Sequence, residues 1–183
     1  EKQGVHLTFL PFVIKACLVA LEKFPFFNAM LDEEKQEIVL KHYFHIGFAV
    51  DTEEGLMVPV IRNADNKSMI EIAIEIQELA KEARERKIQL SDLKGSSFSI
   101  TNYGSIGGRF GTPVINYPNV AILGLGKIKE RAVVIEGKIV ARKMFPVSLT
   151  FDHRLIDGAQ ASLFLDEILK HLEDPGLLLI DSF

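Results

Sequence analysis

One histidine has neighbours that could support acid–base chemistry. His153 follows a long apolar strand pattern, and Arg154, Asp157 and Gly158 come shortly after it. A neutral imidazole, with an ordinary pKa near 6.5, can take a proton from a hydroxyl or thiol at pH 7, a step typically worth about 10² to 10⁴ in rate. The same residues could instead form a plain turn, in which Asp157 caps a helix and His153 ends a strand. Spacing alone leaves both interpretations open, and His153 is the best candidate base in the chain.

Three of the other histidines and the single cysteine predict structure rather than chemistry, and His6 is too near the start of the chain to interpret. His42 and His45 lie on an extended pattern with no carboxylate or cysteine at metal-ligand spacing. His171 stands near the end of a helix pattern, where a positive charge suits the helix dipole. Cys17 sits among apolar helix residues and is expected to be inert core. We therefore expect no metal site.

Two glycine-containing segments follow strand patterns. Residues 104–111 come after Thr101 and Asn102, but neither a helix nor the lysine of a phosphate-binding loop follows, which disfavours phosphate binding by that mechanism. Residues 124–127 include Gly124 and Gly126, a pattern that allows another backbone or a ligand to come close. No activating base accompanies Thr101 in the sequence, so its hydroxyl is better suited to donate a hydrogen bond than to act as a nucleophile.

Apolar spacing predicts three helices among groups of short strands. The first should be capped by Thr8, with Pro11 in its first turn, and the second begins at a capping box formed by Ser68 and Glu71. The third begins after Asp157 and stops at Pro175. Strands are predicted over residues 29–31, 38–50, 56–61, 97–102, 120–127, 132–136 and 139–152. This order predicts an α/β (α+β) fold in one domain, with a mixed or largely antiparallel sheet covered by helices.

Composition limits the classes of partner. The 183 residues are 48% hydrophobic and 25% charged, with a formal net charge of −4. That balance is typical of a globular protein and provides no positive field for nucleic acid. No uncharged run reaches the roughly 18 residues of a membrane helix, and one cysteine cannot form an internal disulfide, which favours a reducing compartment. The chain begins at Glu1 rather than methionine, so we expect it to be truncated at its start.

The local motifs together resemble one known family. Residues 151–158, Phe-Asp-His-Arg-Leu-Ile-Asp-Gly, resemble the D-H-R-x-x-D-G signature of the catalytic domain of dihydrolipoamide acyltransferases, the core enzymes of 2-oxo acid dehydrogenase complexes. Further matching stretches occur in order at residues 7–12, 28–29, 45–52, 55–59, 98–108 and 121–124. The resemblance therefore runs nearly end to end, which makes it far more specific than the signature alone.

The resemblance implies a fold similar to chloramphenicol acetyltransferase and a homotrimer with active sites between neighbouring subunits. His153 is implied to be the general base that deprotonates the coenzyme A thiol, which attacks the thioester of an acyl-dihydrolipoamide. Thr101 stands where the family has a hydroxyl, usually serine, that stabilises the oxyanion. Asp157 is implied to support the site by pairing with an arginine and holding the loop. The implied contacts to coenzyme A are Thr8, Asp51, Thr101, Asn102 and Gly126.

The resemblance also implies partners and leaves alternatives. Trimers would assemble into a larger core that works with decarboxylase and dihydrolipoamide dehydrogenase subunits and an acyl-lipoyl domain, in the cytoplasm or, in a eukaryote, the mitochondrial matrix. Residues 1–183 would be the catalytic domain, without the lipoyl and peripheral-subunit-binding domains. Residues 177–180 resemble a tail through which trimers meet, or else close the core. Residues 104–108 favour an acetyl or branched-chain acyl group over succinyl. The alternatives are a scaffold with weakened activity and a free-standing small-molecule acetyltransferase.

Overall fold

A computed structural model describes residues 7–181, which form a five-stranded sheet, three two-stranded ribbons and four helices. The helices are α1 (Leu10–Lys23), α2 (Met69–Arg84), α3 (Gly158–Glu173) and α4 (Leu178–Asp181). The strands are β1 (Ala29–Asp32), β2 (Glu37–Leu40), β3 (Ile46–Phe48), β4 (Val50–Thr52), β5 (Gly55–Met57), β6 (Val60–Ile61), β7 (Phe98–Asn102), β8 (Ala121–Leu125), β9 (Lys129–Ile135), β10 (Lys138–Met144) and β11 (Val147–Phe151).

The central sheet has the strand order β11-β8-β7-β3-β6. Its inner pairs, β3 with β7 and β7 with β8, are parallel, and its outer pairs are antiparallel. The predicted mixed sheet is therefore confirmed. The ribbons β1–β2, β4–β5 and β9–β10 pair only within themselves.

Two of the long strand predictions are wrong at prolines. The predicted strand over residues 139–152 is divided into β10 and β11, and Pro146 lies between them. The predicted strand over residues 56–61 is divided at Pro59 into β5 and β6. Proline has no N–H for a ladder hydrogen bond, so each proline marks the point where the chain leaves one partner strand for another. As a result, β11 joins the central sheet while β10 stays in its ribbon.

Helix α1 is the centre of the core rather than an amphipathic surface helix. It packs against both α2 and α3, so Lys15, which the sequence placed on the solvent side, is buried. This burial lowers the pKa of the Lys15 ammonium. The predicted Thr8 cap is also wrong, because α1 begins at Leu10 with Phe9 in the capping position and no side-chain cap. The Ser68–Glu71 capping box of α2 is confirmed.

Aromatic packing fixes α3, and with it the segment that carries His153, on the sheet. Phe164 of α3 is fully buried, stacks on Phe27 with ring centroids 3.9 Å apart, and lies 5.8 Å from the ring of Phe98 in β7. Helix α3 ends at Glu173, just before Pro175, as predicted. The turn between β11 and α3 is thus anchored at both of its ends by the core.

Two side chains to which the sequence gave structural roles are deeply buried. Cys17 is inaccessible, and burial raises the pKa of its thiol. His171 is also inaccessible, with Nδ1 2.9 Å from the Glu167 carbonyl oxygen and Nε2 3.0 Å from Asp181 Oδ2 in α4. Helix α4 buries Leu178 and exposes the next two apolar residues. Among residues 7–181, no helix has the length and apolar character needed to cross a membrane.

Candidate functional site

His153 lies in a tight turn between β11 and α3. The Asp152 N–H donates to the Val120 carbonyl oxygen at 2.8 Å, and the Ile156 N–H donates to the Asp152 carbonyl oxygen at 3.1 Å. At the other end, the Asp157 carboxylate accepts a hydrogen bond of 2.8 Å from the Gln160 N–H and caps α3. The His153 side chain is exposed at the surface of the chain, 5.6 Å from the Phe151 ring between centroids. The backbone is therefore fixed while the imidazole stays open to a ligand.

Arg154 holds the same turn through carboxylates. Its guanidinium donates from Nε and Nη2 to the Asp152 carboxylate, at 3.0 and 2.6 Å, and from Nη1 to Glu33 at 2.9 Å. These hydrogen bonds lower the pKa of the Asp152 carboxyl. The expected pairing of Asp157 with an arginine is not made within residues 7–181, because Arg154 turns back to Asp152 and the Asp157 carboxylate is engaged as the helix cap.

Thr101, near the end of β7, lines the first of two cavities. Successive side chains of a strand point to opposite faces, so Thr101 and Asn102 face opposite ways; Tyr103, in the turn after β7, faces the same cavity as Thr101. Together they line a cavity of about 490 Å³, which we call the threonine cavity. Its remaining walls are mostly apolar and include Phe110 and Pro113.

Asn102, on the opposite face of β7, lines a second cavity of about 320 Å³, which we call the asparagine cavity. Thr8 and Gly126 line the same cavity, and Lys127 contributes a positive charge. Three of the residues predicted from the resemblance to bind coenzyme A therefore lie together. Asp51 does not join them: it is exposed on the β4–β5 ribbon and lines neither cavity.

Residues 104–111, which we call the glycine loop, contribute walls to both cavities. The Gly104 N–H donates to the Leu125 carbonyl oxygen at 3.0 Å, and the Lys127 N–H donates to the Gly108 carbonyl oxygen at 2.9 Å. A side chain at Gly126 would collide with the backbone of Arg109 in the loop. The interpretation that residues 124–127 admit a close backbone approach is therefore confirmed, and the approaching backbone is the glycine loop.

The strand register separates Thr101 from His153 within one chain. Thr101 pairs with Gly124, and Phe151 pairs with Ala121. Along the strand direction, Thr101 and Phe151 are therefore three residues apart, about 10 Å. Across the sheet they are two strands apart, which adds a perpendicular separation of about 10 Å. A base and an oxyanion donor must each come within about 3 Å of the reacting atoms. One copy of the chain therefore does not bring Thr101 and His153 into one site.

Sequence reasoning missed Tyr103 and Ser148. The Tyr103 hydroxyl lies 3.0 Å from Ser148 Oγ and 3.4 Å from the Gly111 carbonyl oxygen. The signal that could have found Tyr103 is its position two residues after Thr101, directly beyond the end of β7. Among residues 7–181, no group of three or more histidine, cysteine, aspartate or glutamate side chains is arranged to hold a metal ion.

The ion pair between the Asp152 carboxylate and Arg154 should stabilise the turn at neutral pH but not at strongly acidic pH. Because Arg154 lowers its folded-state pKa, this contribution is full above the unfolded pKa of about 3.9 and is lost as the pH falls through the lower folded value. We expect Asp152→Asn to lose about 0.5 to 1 kcal/mol of stability at pH 7, and the difference from wild type to shrink as the pH falls below the unfolded pKa of about 3.9.

Calorimetric unfolding across this pH range measures the difference. Asp166→Asn, at an exposed aspartate of α3, is the matched control and should show no such pH dependence. A difference between wild type and Asp152→Asn that stays constant down to pH 2 would refute the role given to the Arg154 ion pair.

Comparison with known protein sequences points to one family. The model of the 2-oxoacid dehydrogenases acyltransferase catalytic domain matches residues 1–180. The chain is 53% identical over 180 residues to the dihydrolipoyllysine-residue acetyltransferase component of the pyruvate dehydrogenase complex of Bacillus subtilis, a match that covers 98% of this chain and 41% of that protein. The chain thus spans about two fifths of the length of the curated relatives it matches.

Comparison with solved structures points to the same family. The dihydrolipoamide acetyltransferase of Azotobacter vinelandii superposes with a TM-score of 0.93 and 45% identity, covering 97% of this chain and 73% of that one. The cubic core of a pyruvate dehydrogenase multienzyme complex superposes with a TM-score of 0.92, with the same identity and coverage. A chloramphenicol acetyltransferase, 19% identical over 88% of this chain and 76% of its own, has a TM-score of 0.56 and shares the fold alone. The predicted similarity to that fold is confirmed.

Proposed function

Because the chain belongs to the 2-oxoacid dehydrogenase acyltransferase family, we propose that it transfers an acyl group between dihydrolipoamide and coenzyme A. One observation carries the residue assignment. The work on the Azotobacter vinelandii enzyme concerns the role of a serine, a histidine and an asparagine in its mechanism; the serine precedes the histidine by 52 residues and the asparagine follows it by 4. Thr101, His153 and Asp157 have the same separations.

The proposed chemistry is a thiol–thioester exchange. The neutral imidazole of His153 takes the proton from the coenzyme A thiol, whose ordinary pKa of about 8.5 is within its reach. The thiolate attacks the thioester carbonyl of the acyl-dihydrolipoamide, and the Thr101 hydroxyl donates a hydrogen bond to the oxyanion. When the carbon–sulfur bond to dihydrolipoamide breaks, the leaving thiolate recovers the proton from the imidazolium. Asp157 carries no proton in this scheme; it caps α3 and so holds the turn behind His153.

The two cavities suit the two substrates. The asparagine cavity brings together Thr8, Asn102 and Gly126 beside Lys127, which supports binding of the thiol-bearing arm of a negatively charged coenzyme A there. The threonine cavity, with Thr101 in its wall, then receives the acyl group and the dihydrolipoamide. Asp51 lies outside both cavities, so its proposed contact is with a part of coenzyme A that extends beyond them.

The proposed active unit is a homotrimer. His153 is exposed and lies on a different part of the sheet from Thr101, which supports a site in which the imidazole of one copy enters the threonine cavity of the next. A head-to-tail contact of this kind closes into a ring when the rotation fits, and three copies then give three identical sites. The family's cubic core supports further assembly of trimers.

The remaining assignments follow from the family. Residues 1–183 act as one catalytic domain, which receives its acyl group from a lipoyl domain and works with decarboxylase and dihydrolipoamide dehydrogenase subunits. The matched relatives are bacterial, which supports the cytoplasm over the mitochondrial matrix. A free-standing acetyltransferase is disfavoured, because identity is 38 to 53% to dihydrolipoamide acetyltransferases and 19% to chloramphenicol acetyltransferase.

Replacing the proposed base, His153, distinguishes an active enzyme from a protein that serves only as a scaffold. We expect His153→Gln to lower kcat for transfer from acetyl coenzyme A to dihydrolipoamide by about 10² to 10⁴, because no group then takes the thiol proton. Sedimentation should show the same assembly as wild type, since glutamine is a polar side chain of similar size. His42→Gln, at an exposed histidine outside both cavities, is the control. Unchanged turnover in His153→Gln would discard the proposed mechanism.

The hydroxyl of Thr101 is tested by two substitutions of similar size. Thr101→Val removes the donor while keeping the branched shape, and should lower kcat by about 10² to 10³. Thr101→Ser keeps the hydroxyl and should remain within about tenfold of wild type, the loss reflecting only a looser rotamer. Steady-state acetyl transfer provides the measurement. Equal losses in the two variants would mean that packing, and not the hydrogen bond, is what Thr101 contributes.

A further inference from the structure

Tyr103 is held across the sheet above a glycine. Thr101, Gly124 and Ser148 lie side by side on β7, β8 and β11. The Tyr103 hydroxyl reaches over Gly124 to Ser148 Oγ at 3.0 Å. A Cβ atom at Gly124 would stand 2.7 Å from Ser148 Oγ and 2.8 Å from Tyr103 Cε1. Glycine at this position is therefore what makes room for the pair.

The same ring supports the glycine loop from below. A Cβ atom at Gly108 would stand 3.0 Å from Tyr103 Cδ2, and one at Gly111 would stand 3.2 Å from Tyr103 Cε1. The hydroxyl can donate to the Gly111 carbonyl oxygen, 3.4 Å away, while it accepts from Ser148. The ring thus fills the space between the sheet and the loop, and its polar end joins the two. Any tilt of the ring must move the loop.

Tyr103 is also a wall of the threonine cavity, which Thr101 lines as well. No charged side chain is found among the described residues that line this cavity. Burying a carboxylate against such a wall without a partner is unfavourable. The cavity therefore suits an uncharged acyl group, and its width near Thr101 depends on where the Tyr103 ring stands.

We propose that Tyr103, held by Ser148, is the residue that sets the size of the acyl group accepted beside Thr101. This inference rests on the proposed acyl transfer. Tyr103 acts by position: its ring limits the cavity, and its hydrogen bonds keep the ring and the glycine loop at a fixed distance. Apolar pockets separate substrates that differ by one methylene by about 10- to 200-fold only when their walls stay in place. Releasing the ring should let a branched acyl group compete better with acetyl.

Two substitutions remove the hydrogen bond from opposite ends. Tyr103→Phe keeps the ring without its hydroxyl, and Ser148→Ala removes the partner on β11. For each variant of the full chain, kcat/KM is measured with acetyl and isobutyryl coenzyme A as donors to dihydrolipoamide. We expect the isobutyryl-to-acetyl ratio to rise about three- to tenfold in each, the range set by one neutral hydrogen bond. The double variant should rise no further than Tyr103→Phe alone, because that variant already removes the bond to Ser148 together with the bond to Gly111.

The isobutyryl-to-acetyl ratio of kcat/KM is insensitive to partial unfolding, since a loss of active protein lowers the rates with both donors equally. Tyr117→Phe, the same chemical change at an exposed tyrosine outside the cavity, should leave the ratio at the wild-type value. An active wild type whose ratio is unchanged in both single variants overturns this inference alone. Additive rises in the double variant also overturn it, because the two side chains then act separately. A wild type that transfers neither acyl group overturns the proposed function and this inference with it.

Discussion

The hydrogen-bond register of β7, β8 and β11 is the constraint on which the site depends. It aligns Thr101 with Gly124 and Ser148, and it places the end of β11, with His153 beyond it, near the start of β8. A slip of one residue would turn every side chain of a strand to the other face, so this register is fixed by the core and cannot drift. Side-chain rotation cannot close a separation of this size. Within one copy, the proposed base and the proposed oxyanion donor therefore stay apart, which is why we propose that different copies complete the site.

Backbone contacts between the glycine loop and the end of β8 form the boundary between the two cavities. The glycine loop lies directly on the end of β8, because Gly104 and Gly126 carry no side chains that would keep the two backbones apart. That contact leaves Asn102 facing one cavity and Thr101 facing the other. Gly124 adds the space in which Tyr103 meets Ser148. Gly104 and Gly126 thus allow backbone to pack on backbone, and Gly124 makes room for a pair of side chains.

Local signals in the sequence predicted the local structure well. The capping box at Ser68 and the end of α3 before Pro175 are encoded within a few residues. The ordered motifs identified the family before any fold was known. One error came from non-local contacts: Lys15 is buried because α1 packs against two helices. Such packing cannot be predicted from residue spacing, and the same holds for the register that separates Thr101 from His153.

The central claim, that each site combines Thr101 of one copy with His153 of another, can be tested by mixing inactive subunits. His153→Ala and Thr101→Val chains are each assembled alone and also co-assembled at equal amounts from the unfolded chains, and acetyl transfer is measured. The account predicts that the mixture recovers about a quarter of wild-type turnover, since about one interface in four pairs an intact threonine with an intact histidine in a cyclic trimer. A co-assembled mixture no more active than its two parents would contradict it.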